Sequence, residues 1–252
     1  MTLIVEWMLQ PVDPTRAHAV DFYLSWHARI MVLAWGVIAP VAVLAARFFK
    51  ILPWQSWPKE LDNPAWWKIH WIGQSGAIAL TFLGFGLILF SQEVGVSAHS
   101  HKVLGYIVLV FGCLQGLTGF LRGSKGGPTS PAPDGSLIGD HYDMTPHRLL
   151  FEAVHKSLGY GLIVVAFVCI LMGLWAANAP RWMWLLIPGW WGFLIAAAVW
   201  LQLRVGSYDT YQAIWGADNT HPGNRMKKQG WGTVRPGDTM QVWGNKRKYN
   251  DS

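Results

Sequence analysis

Four histidines lie near the starts of four consecutive apolar stretches of the sequence. They are His27, His70, His101 and His155. An ionisable side chain within a membrane is costly and usually has a function, and imidazole is a common metal ligand. A single histidine near a helix end is more often an interfacial residue or a core residue satisfied by a neighbour. Four of them at equivalent positions predict a set of metal ligands.

The direction of the stretches predicts how these histidines pair. If the stretches are helices of alternating direction, His27 lies level with His101 in one leaflet and His70 lies level with His155 in the other. Two facing imidazoles suit the two axial positions of a haem better than a tetrahedral zinc site, which needs four ligands or three and a water. Filled axial positions favour electron transfer over oxygen binding. Because the sequence has no C-x-x-C-H motif, we expect haem held without thioether bonds.

A short repeat marks two of the histidines. The sequence HKVLGY at residues 101–106 recurs as HKSLGY at residues 155–160. Gly105 and Gly159 lie one helical turn from their histidines, and we expect them to give clearance to a porphyrin. Glycine is also common at membrane helix contacts without any cofactor. Further small residues stand where each helix would pass the haem of the other leaflet: Ala45, Gly84, Gly116, Gly119, Cys169 and Gly173.

Other polar residues beside the predicted sites allow two interpretations each. Lys102 and Lys156 follow two of the predicted ligands and can extend to haem propionates or serve as ordinary interface lysines. His99 is an alternative to His101 as a ligand but lacks the repeat. Three residues beside the cytoplasmic pair either contact a propionate, an anion or a quinone, or belong to a solvated loop: His141, His147 and Arg148. Arg47 and Arg122 end their spans and are interpreted as cytoplasmic anchors, with substrate contacts as the alternative.

The composition predicts the elements that position these residues. Hydrophobic residues make up 52% of the 252 residues and charged residues 13%, whereas soluble domains have about 25% charged residues. The apolar residues form five stretches of roughly 20 residues, each long enough to cross a membrane as a helix. They are about 22–46, 69–90, 103–121, 150–176 and 182–203. We predict an all-α membrane protein with five transmembrane helices, of which helices 1–4 form a four-helix bundle around two haems.

The basic residues predict the orientation. With five alternating helices, sixteen of the twenty Lys and Arg residues lie on the side of the C-terminus. The positive-inside rule therefore places the C-terminus in the cytoplasm and the N-terminus outside. We expect an integral protein of the bacterial inner membrane. Nothing in the sequence supports nucleic-acid binding.

The domain organisation is predicted in three parts. Residues 1–20 form a short extramembrane segment, residues 21–204 form the bundle with a cytoplasmic loop at 123–149, and residues 205–252 form a basic cytoplasmic tail. We expect a β-hairpin over residues 231–243, with a Pro-Gly-Asp turn. The loop and the tail, with Trp215, Trp231 and Trp243, are expected to bind a partner protein, with anionic lipid as the alternative.

At residues 25–175 the sequence resembles the cytochrome b561 family, most closely the branch linked to DOMON domains in ferric-reductase-like proteins. The matching segments are His27–Met31, Ala34–Gly36 with Pro40, Ala46–Arg47, Trp67–His70, His101–Gly105, Gly119–Arg122, and His155 with Gly159. The resemblance implies two non-covalent b haems, bis-histidine ligation and electron movement across a membrane. It also implies the pairs that helix direction predicts.

The sequence departs from the family pattern at several points. Ala28 stands where the family usually has glycine after the first ligand, and no DOMON domain precedes the bundle. The loop at 123–149 and the basic tail are not part of the family pattern. The family's substrates, such as ascorbate or ferric chelates, are therefore a poor guide for this chain, and we expect a membrane redox partner protein instead.

Two functional hypotheses follow. The first is transmembrane electron transfer through two haems, from a quinol or a reductase to an acceptor on the other side, so that the chain is an electron-transfer protein or an oxidoreductase subunit. The second is a haem-containing anchor or assembly subunit of a larger complex with no turnover of its own. A transporter is disfavoured because the repeat does not form matched halves. Reduction by a quinol at the rate of turnover distinguishes the first two hypotheses.

Overall fold

The computed structural model describes most of the chain. The described residues are 2–18, 20–61, 63–91, 98–122, 135, 145–228, 230–239, 241–242 and 245–246. The helices are α1 Thr2–Leu9, α2 Phe22–Met31, a π-helical segment Val32–Ile38, α3 Ala39–Phe48, α4 Ala65–Ile88, α5 His99–Phe120, α6 Pro146–Ala176, α7 Arg181–Arg204, α8 Thr210–Trp215, α9 Pro222–Arg225 and α10 Pro236–Thr239. The strands are β1 Ser207–Tyr208, β2 Thr233–Val234, β3 Gln241–Val242 and β4 Asn245–Lys246.

Within the described residues, five helical segments are long and apolar enough to cross a membrane, as predicted. The first is the continuous helix Phe22–Phe48, formed by α2, the π-helical segment and α3, and the others are α4, α5, α6 and α7. Three of them begin before the apolar stretches, at Ala65, His99 and Pro146. Their first turns contain basic or histidine residues and are still helical, because a helix begins where its backbone groups can be capped and not where hydropathy rises.

The described chain divides into two compact units. Unit 1 contains Met1–Val41, Ile72–Gly116 and Leu158–Ala196. Unit 2 contains Ala42–Trp71, Leu117–Ser157 and Ala197–Ser252. Each unit therefore takes a segment from all five spans. The fifth span contributes to both units, which goes beyond the four-helix arrangement predicted from the sequence.

The core of unit 1 is built around Trp35. Its indole is 5% exposed, and its Nε1 donates a hydrogen bond to Thr81 Oγ1 at 2.9 Å. A Cβ atom at Gly112 would lie 3.2 Å from the indole ring, so only glycine lets this helix approach so closely. The buried cluster takes residues from all five spans: Ala34, Trp35, Ala39, Ala77, Val108, Leu162, Ala166, Cys169, Ile170 and Trp191.

The fifth span binds the backbone of the π-helical segment. A π-helix shifts the backbone hydrogen bonds and leaves carbonyls to be satisfied by other groups. Gly36 O accepts hydrogen bonds from Trp190 Nε1 at 3.0 Å and Trp191 Nε1 at 3.2 Å. Trp191 also stacks on Phe167, with 4.1 Å between the ring centres. These contacts fix the first, fourth and fifth spans together within unit 1.

In unit 2 the tail folds around two buried tyrosines, Tyr208 and Tyr211. Tyr208 is fully buried and packs with Ile51 and Ala213. Asp209 begins α8, because its carboxylate accepts hydrogen bonds from the backbone N–H groups of Tyr211 and Gln212. The first part of the predicted basic tail is therefore a packed structure.

The predicted hairpin over 231–243 is wrong. Thr233–Val234 pairs in parallel with Ser207–Tyr208, and Pro236–Thr239 forms a helical turn. The antiparallel pair lies further on, between Gln241–Val242 and Asn245–Lys246. An isolated hairpin is marginally stable, and β2 instead pairs with a strand 26 residues earlier in the chain.

Candidate functional site

The structure places His27 and His101 together in unit 1. Their ring centres are 6.1 Å apart and the ring planes are nearly perpendicular, at 88°. His27 Nδ1 donates a hydrogen bond to Gly84 O at 2.8 Å. His101 Nδ1 donates to Cys169 O at 2.9 Å. A carbonyl can only accept, so both rings carry their proton on Nδ1 when neutral and leave the lone pair on Nε2.

The structure places His70 and His155 together in unit 2. Their ring centres are 6.3 Å apart, with 74° between the planes. His70 Nδ1 donates to Ala42 O at 3.3 Å. His155 Nδ1 lies 3.0 Å from Thr118 Oγ1, a hydroxyl that can accept or donate. This pair therefore differs from the first, because one of its rings contacts a hydroxyl and not a carbonyl.

The ring spacing fits a metal ion between two axial imidazoles. A first-row metal lies about 2 Å from a ligating imidazole nitrogen, and with roughly 1 Å from each nitrogen to its ring centre two opposed rings are roughly 6 Å apart. Edge-to-face aromatic pairs have a similar spacing. The Nδ1 contacts distinguish these pairs from ordinary aromatic pairs, because a ligating histidine typically donates its other N–H to a carbonyl or a similar acceptor. The donor set therefore fits the axial positions of a haem.

A metal site built from protein ligands alone has no support. In the part of the chain that the structure describes, no three His, Cys, Asp or Glu side chains lie close enough together to hold a metal ion. A tetrahedral zinc site needs at least three such ligands. The pairs are consistent with a group that supplies the remaining ligands itself, as a porphyrin does.

Different glycines from those of the repeat lie against the histidine rings. A Cβ atom at Gly173 would lie 3.0 Å from His101 Cε1, and one at Gly119 would lie 4.0 Å from His155 Cε1. By contrast, a Cβ atom at Gly105 would meet no atom within 4 Å, and one at Gly159 would lie 2.9 Å from the side chain of Gln115. In the sequence, Gly119 and Gly173 were indicated as residues that pass a haem by their distance of fourteen to eighteen residues from a predicted ligand on the same helix.

The two lysines of the repeat differ in their surroundings. Lys156 forms an ion pair with Glu152, a buried carboxylate that also lies 3.6 Å from the Arg148 guanidinium. Lys102 is exposed. Lys156 is therefore bound to a protein carboxylate, whereas a propionate contact for either lysine stays a prediction. Of the other histidines, His99 and His147 are exposed, and His141 lies outside the described residues.

A buried polar cluster next to the second pair was not predicted from the sequence. Lys50 Nζ donates to Tyr208 O at 2.6 Å, and burial lowers the pKa of Lys50 to about 7. Arg148 donates to Tyr211 Oη and to Arg122 O, both at 3.1 Å. The signal in the sequence was Glu152, an acidic residue within an apolar stretch and four residues from a basic residue on either side.

The aromatic residues expected to bind a partner are only partly exposed. Trp215 is partly buried and stacks on His221, with 4.3 Å between the ring centres. Trp231 is 81% exposed and its ring lies 5.4 Å from the Arg47 guanidinium carbon. Trp243 and most of the loop at 123–149 lie outside the described residues.

Comparison with known proteins finds relatives in Arabidopsis thaliana. The chain is 31% identical over 152 residues to a cytochrome b561, DM13 and DOMON domain-containing protein, which covers 60% of the chain and 14% of the relative. Two cytochrome b561 and DOMON domain-containing proteins are 25% and 27% identical over 150 residues. Those matches cover 59% of the chain and 31% and 27% of the relatives. The resemblance to the cytochrome b561 family is confirmed.

The chain spans only a minor part of the length of these relatives, between 14% and 31%. No protein-family model matches the chain. No solved structure gives a significant match.

Proposed function

We propose, from the similarity to cytochrome b561 proteins, that the chain transfers electrons across a membrane through two b-type haems. His27 and His101 would be the axial ligands of one haem, and His70 and His155 those of the other. The observation that carries the proposal is the arrangement of four imidazoles in two pairs, with ring centres 6.1 and 6.3 Å apart. The chain would act as a subunit or partner of a membrane redox chain.

The protein supplies ligand orientation and ligand basicity. The hydrogen bonds from Nδ1 to the carbonyls of Gly84, Cys169 and Ala42 fix the ring planes of three histidines. Such bonds also raise the basicity of the ligating nitrogen. When bound, haem b accepts and releases one electron at its iron. With both axial positions taken by imidazole, the iron has no open position for oxygen.

The position of each histidine in its span supports transfer across the membrane. His27 and His101 lie near the starts of the first and third spans, and His70 and His155 near the starts of the second and fourth. Because consecutive spans alternate in direction, we propose one haem per leaflet, with the N-terminus outside and the C-terminus in the cytoplasm of a bacterial cell. A reporter fused after Ser252 that is active only in the cytoplasm tests this orientation.

Vesicles with an electron acceptor inside test the function. Purified protein is inserted into lipid vesicles that contain ferricyanide, and dithionite, a dianion that crosses bilayers poorly, is added outside. We expect the trapped ferricyanide to be reduced several times faster than in empty vesicles. His70→Ala and His101→Ala, each of which removes one haem, should return the rate to that of empty vesicles.

The same vesicles separate electron transfer from the anchor hypothesis. If vesicles with the wild-type protein are no faster than empty vesicles although both haems are present, the haems are structural and the electron-transfer proposal fails. Reduction of the haems by an added quinol within the turnover time would further support a quinol as the donor.

Gly173→Ala is expected to weaken the haem held by His27 and His101. The new methyl group would lie about 3.0 Å from His101 Cε1, so the ring must shift by a few tenths of an ångström, and we expect its hydrogen bond to Cys169 O to weaken or break. Loss of such a bond typically costs 10–100-fold in metal affinity. Haem content after detergent purification, measured as the pyridine haemochrome, tests this.

Gly161→Ala is the matched control for that substitution. Gly161 lies on the same helix α6, and a Cβ atom there would meet no atom within 4 Å. The control should keep both haems. Equal haem content in the two variants would show that the close approach of Gly173 to His101 has no role in haem binding.

A further inference from the structure

Arg122 is a buried cation of unit 2 whose guanidinium has no acceptor within the described residues. The residue is 8% exposed and follows the end of α5. Its backbone carbonyl accepts a hydrogen bond from Arg148 Nη1, whereas its guanidinium carbon lies 4.6 Å from the centre of the Trp67 ring. Burial lowers the pKa of Arg122 to about 10, so the side chain is still charged at neutral pH.

The carboxylate near Arg122 is Glu152, and it is already bound by other cations. Glu152 is paired with Lys156 and lies 3.6 Å from Arg148. A buried charge is costly when no opposite charge is nearby. The contact with Trp67 offsets part of this cost, but an anionic group would offset more.

Two chains of contacts place Arg122 beside the second histidine pair. On α5, Thr118 Oγ1 contacts His155 Nδ1 at 3.0 Å, and Arg122 lies four residues after Thr118, in the turn just past the end of α5. On α4, the Trp67 ring lies 6.5 Å from the His70 ring and also contacts the Arg122 guanidinium. The free donors of Arg122 are thus next to both histidines.

We infer that Arg122 binds a propionate of the haem held by His70 and His155. The inference rests on the proposed function, since it requires a haem at this pair. A planar guanidinium matches a carboxylate with two parallel hydrogen bonds. Lys156, for which the sequence also allowed this role, forms an ion pair with Glu152.

Potentiometric titration of Arg122→Gln tests the inference on the intact haem protein. Loss of a positive charge beside the haem favours the ferric state, so the midpoint potential of the haem held by His70 and His155 should fall. It should also become more dependent on pH near neutrality, because a propionate without its cation binds a proton more easily. Arg122→Lys should recover part of the shift, and the potential of the other haem should not change.

Arg204→Gln is the matched control, because Arg204 is an exposed arginine at the end of α7 in the same unit. It should leave both potentials unchanged. Infrared difference spectra between the oxidised and reduced protein, with ¹³C in the haem propionates, provide a direct readout. Arg122→Gln should move the labelled carboxylate band, and Arg204→Gln should not.

Three results would contradict the inference. The first is a potential and a carboxylate band in Arg122→Gln equal to those of Arg204→Gln. The second is a wild-type potential that follows the concentration of added formate, which would show that Arg122 takes a soluble anion. The third is the loss of both haems in Arg122→Gln as well as in Arg122→Lys, which would show that Arg122 has a structural role. If the wild-type protein lacks the haem that His70→Ala should remove, the proposed function fails instead.

Discussion

The purified protein is expected to carry two b haems per chain, and alanine at any one of the four paired histidines should leave one. An imidazole replaced by a methyl group removes one of two axial ligands, and a haem with one protein ligand is lost on purification. Because His27 and His101 are paired, as are His70 and His155, the two alanine variants of a pair should lose the same haem. Pyridine haemochrome content and dithionite-reduced minus oxidised spectra measure this.

The haem that remains in each variant also reports that the protein is folded. His99→Ala and His147→Ala serve as controls, because both side chains are exposed and lie near the ends of spans. They should keep two haems. If His27→Ala removes the haem that His70→Ala removes, or if the wild-type protein holds fewer than two haems, the assignment of ligands is wrong.

The second large effect is expected for Arg235→Ala, which should unfold the tail in unit 2. Arg235 is 9% exposed, and its guanidinium pairs with Asp209 at 3.2 Å and donates to Met226 O at 2.7 Å. Removing one partner of a buried ion pair costs about 3–5 kcal/mol. Asp209 also caps α8, so we expect α8 and the β1–β2 pair to open together. Limited proteolysis of the detergent-solubilised protein should then cut residues 206–237 far faster than in the wild type.

Arg225→Ala is the control for this substitution. Arg225 is exposed and its Nε donates to Asn219 O at 2.9 Å, a bond that water can replace at little cost. The rate of cleavage should be close to that of the wild type. Equal resistance of Arg235→Ala and Arg225→Ala would mean that the ion pair with Asp209 does not hold the tail together.

Local patterns in the sequence were sufficient for the spans and for the positions of the histidines. Hydropathy over about 20 residues depends only on neighbouring residues, so the spans at Ala65–Ile88 and Arg181–Arg204 were predicted to within a few residues. Helix direction then paired His27 with His101. That step needs only the fact that consecutive spans run in opposite directions, and it needs no knowledge of side-chain packing.

Contacts between residues distant in the chain were less predictable. The strand at Thr233–Val234 was expected to pair with its neighbour, and it pairs with Ser207–Tyr208 instead. Trp215 was expected to contact a partner, and within the chain its ring stacks on His221, a contact that the sequence did not predict. In both cases the residue types were suited to several partners, and the choice depends on which partner the folded tail brings near.

The sequence by itself determined that the chain has five helices long and apolar enough to cross a membrane and that four histidines lie near the starts of four of them. Only the tertiary structure decided which acceptors bind the Nδ1 atoms, which glycines lie against the rings, and that, within the described residues, Lys156 pairs with Glu152 while the Arg122 guanidinium contacts Trp67. The reason is physical. Hydropathy and helical spacing act along the chain, whereas the partner of a buried charge or an imidazole N–H is set by the rotation and approach of helices, which no local pattern specifies.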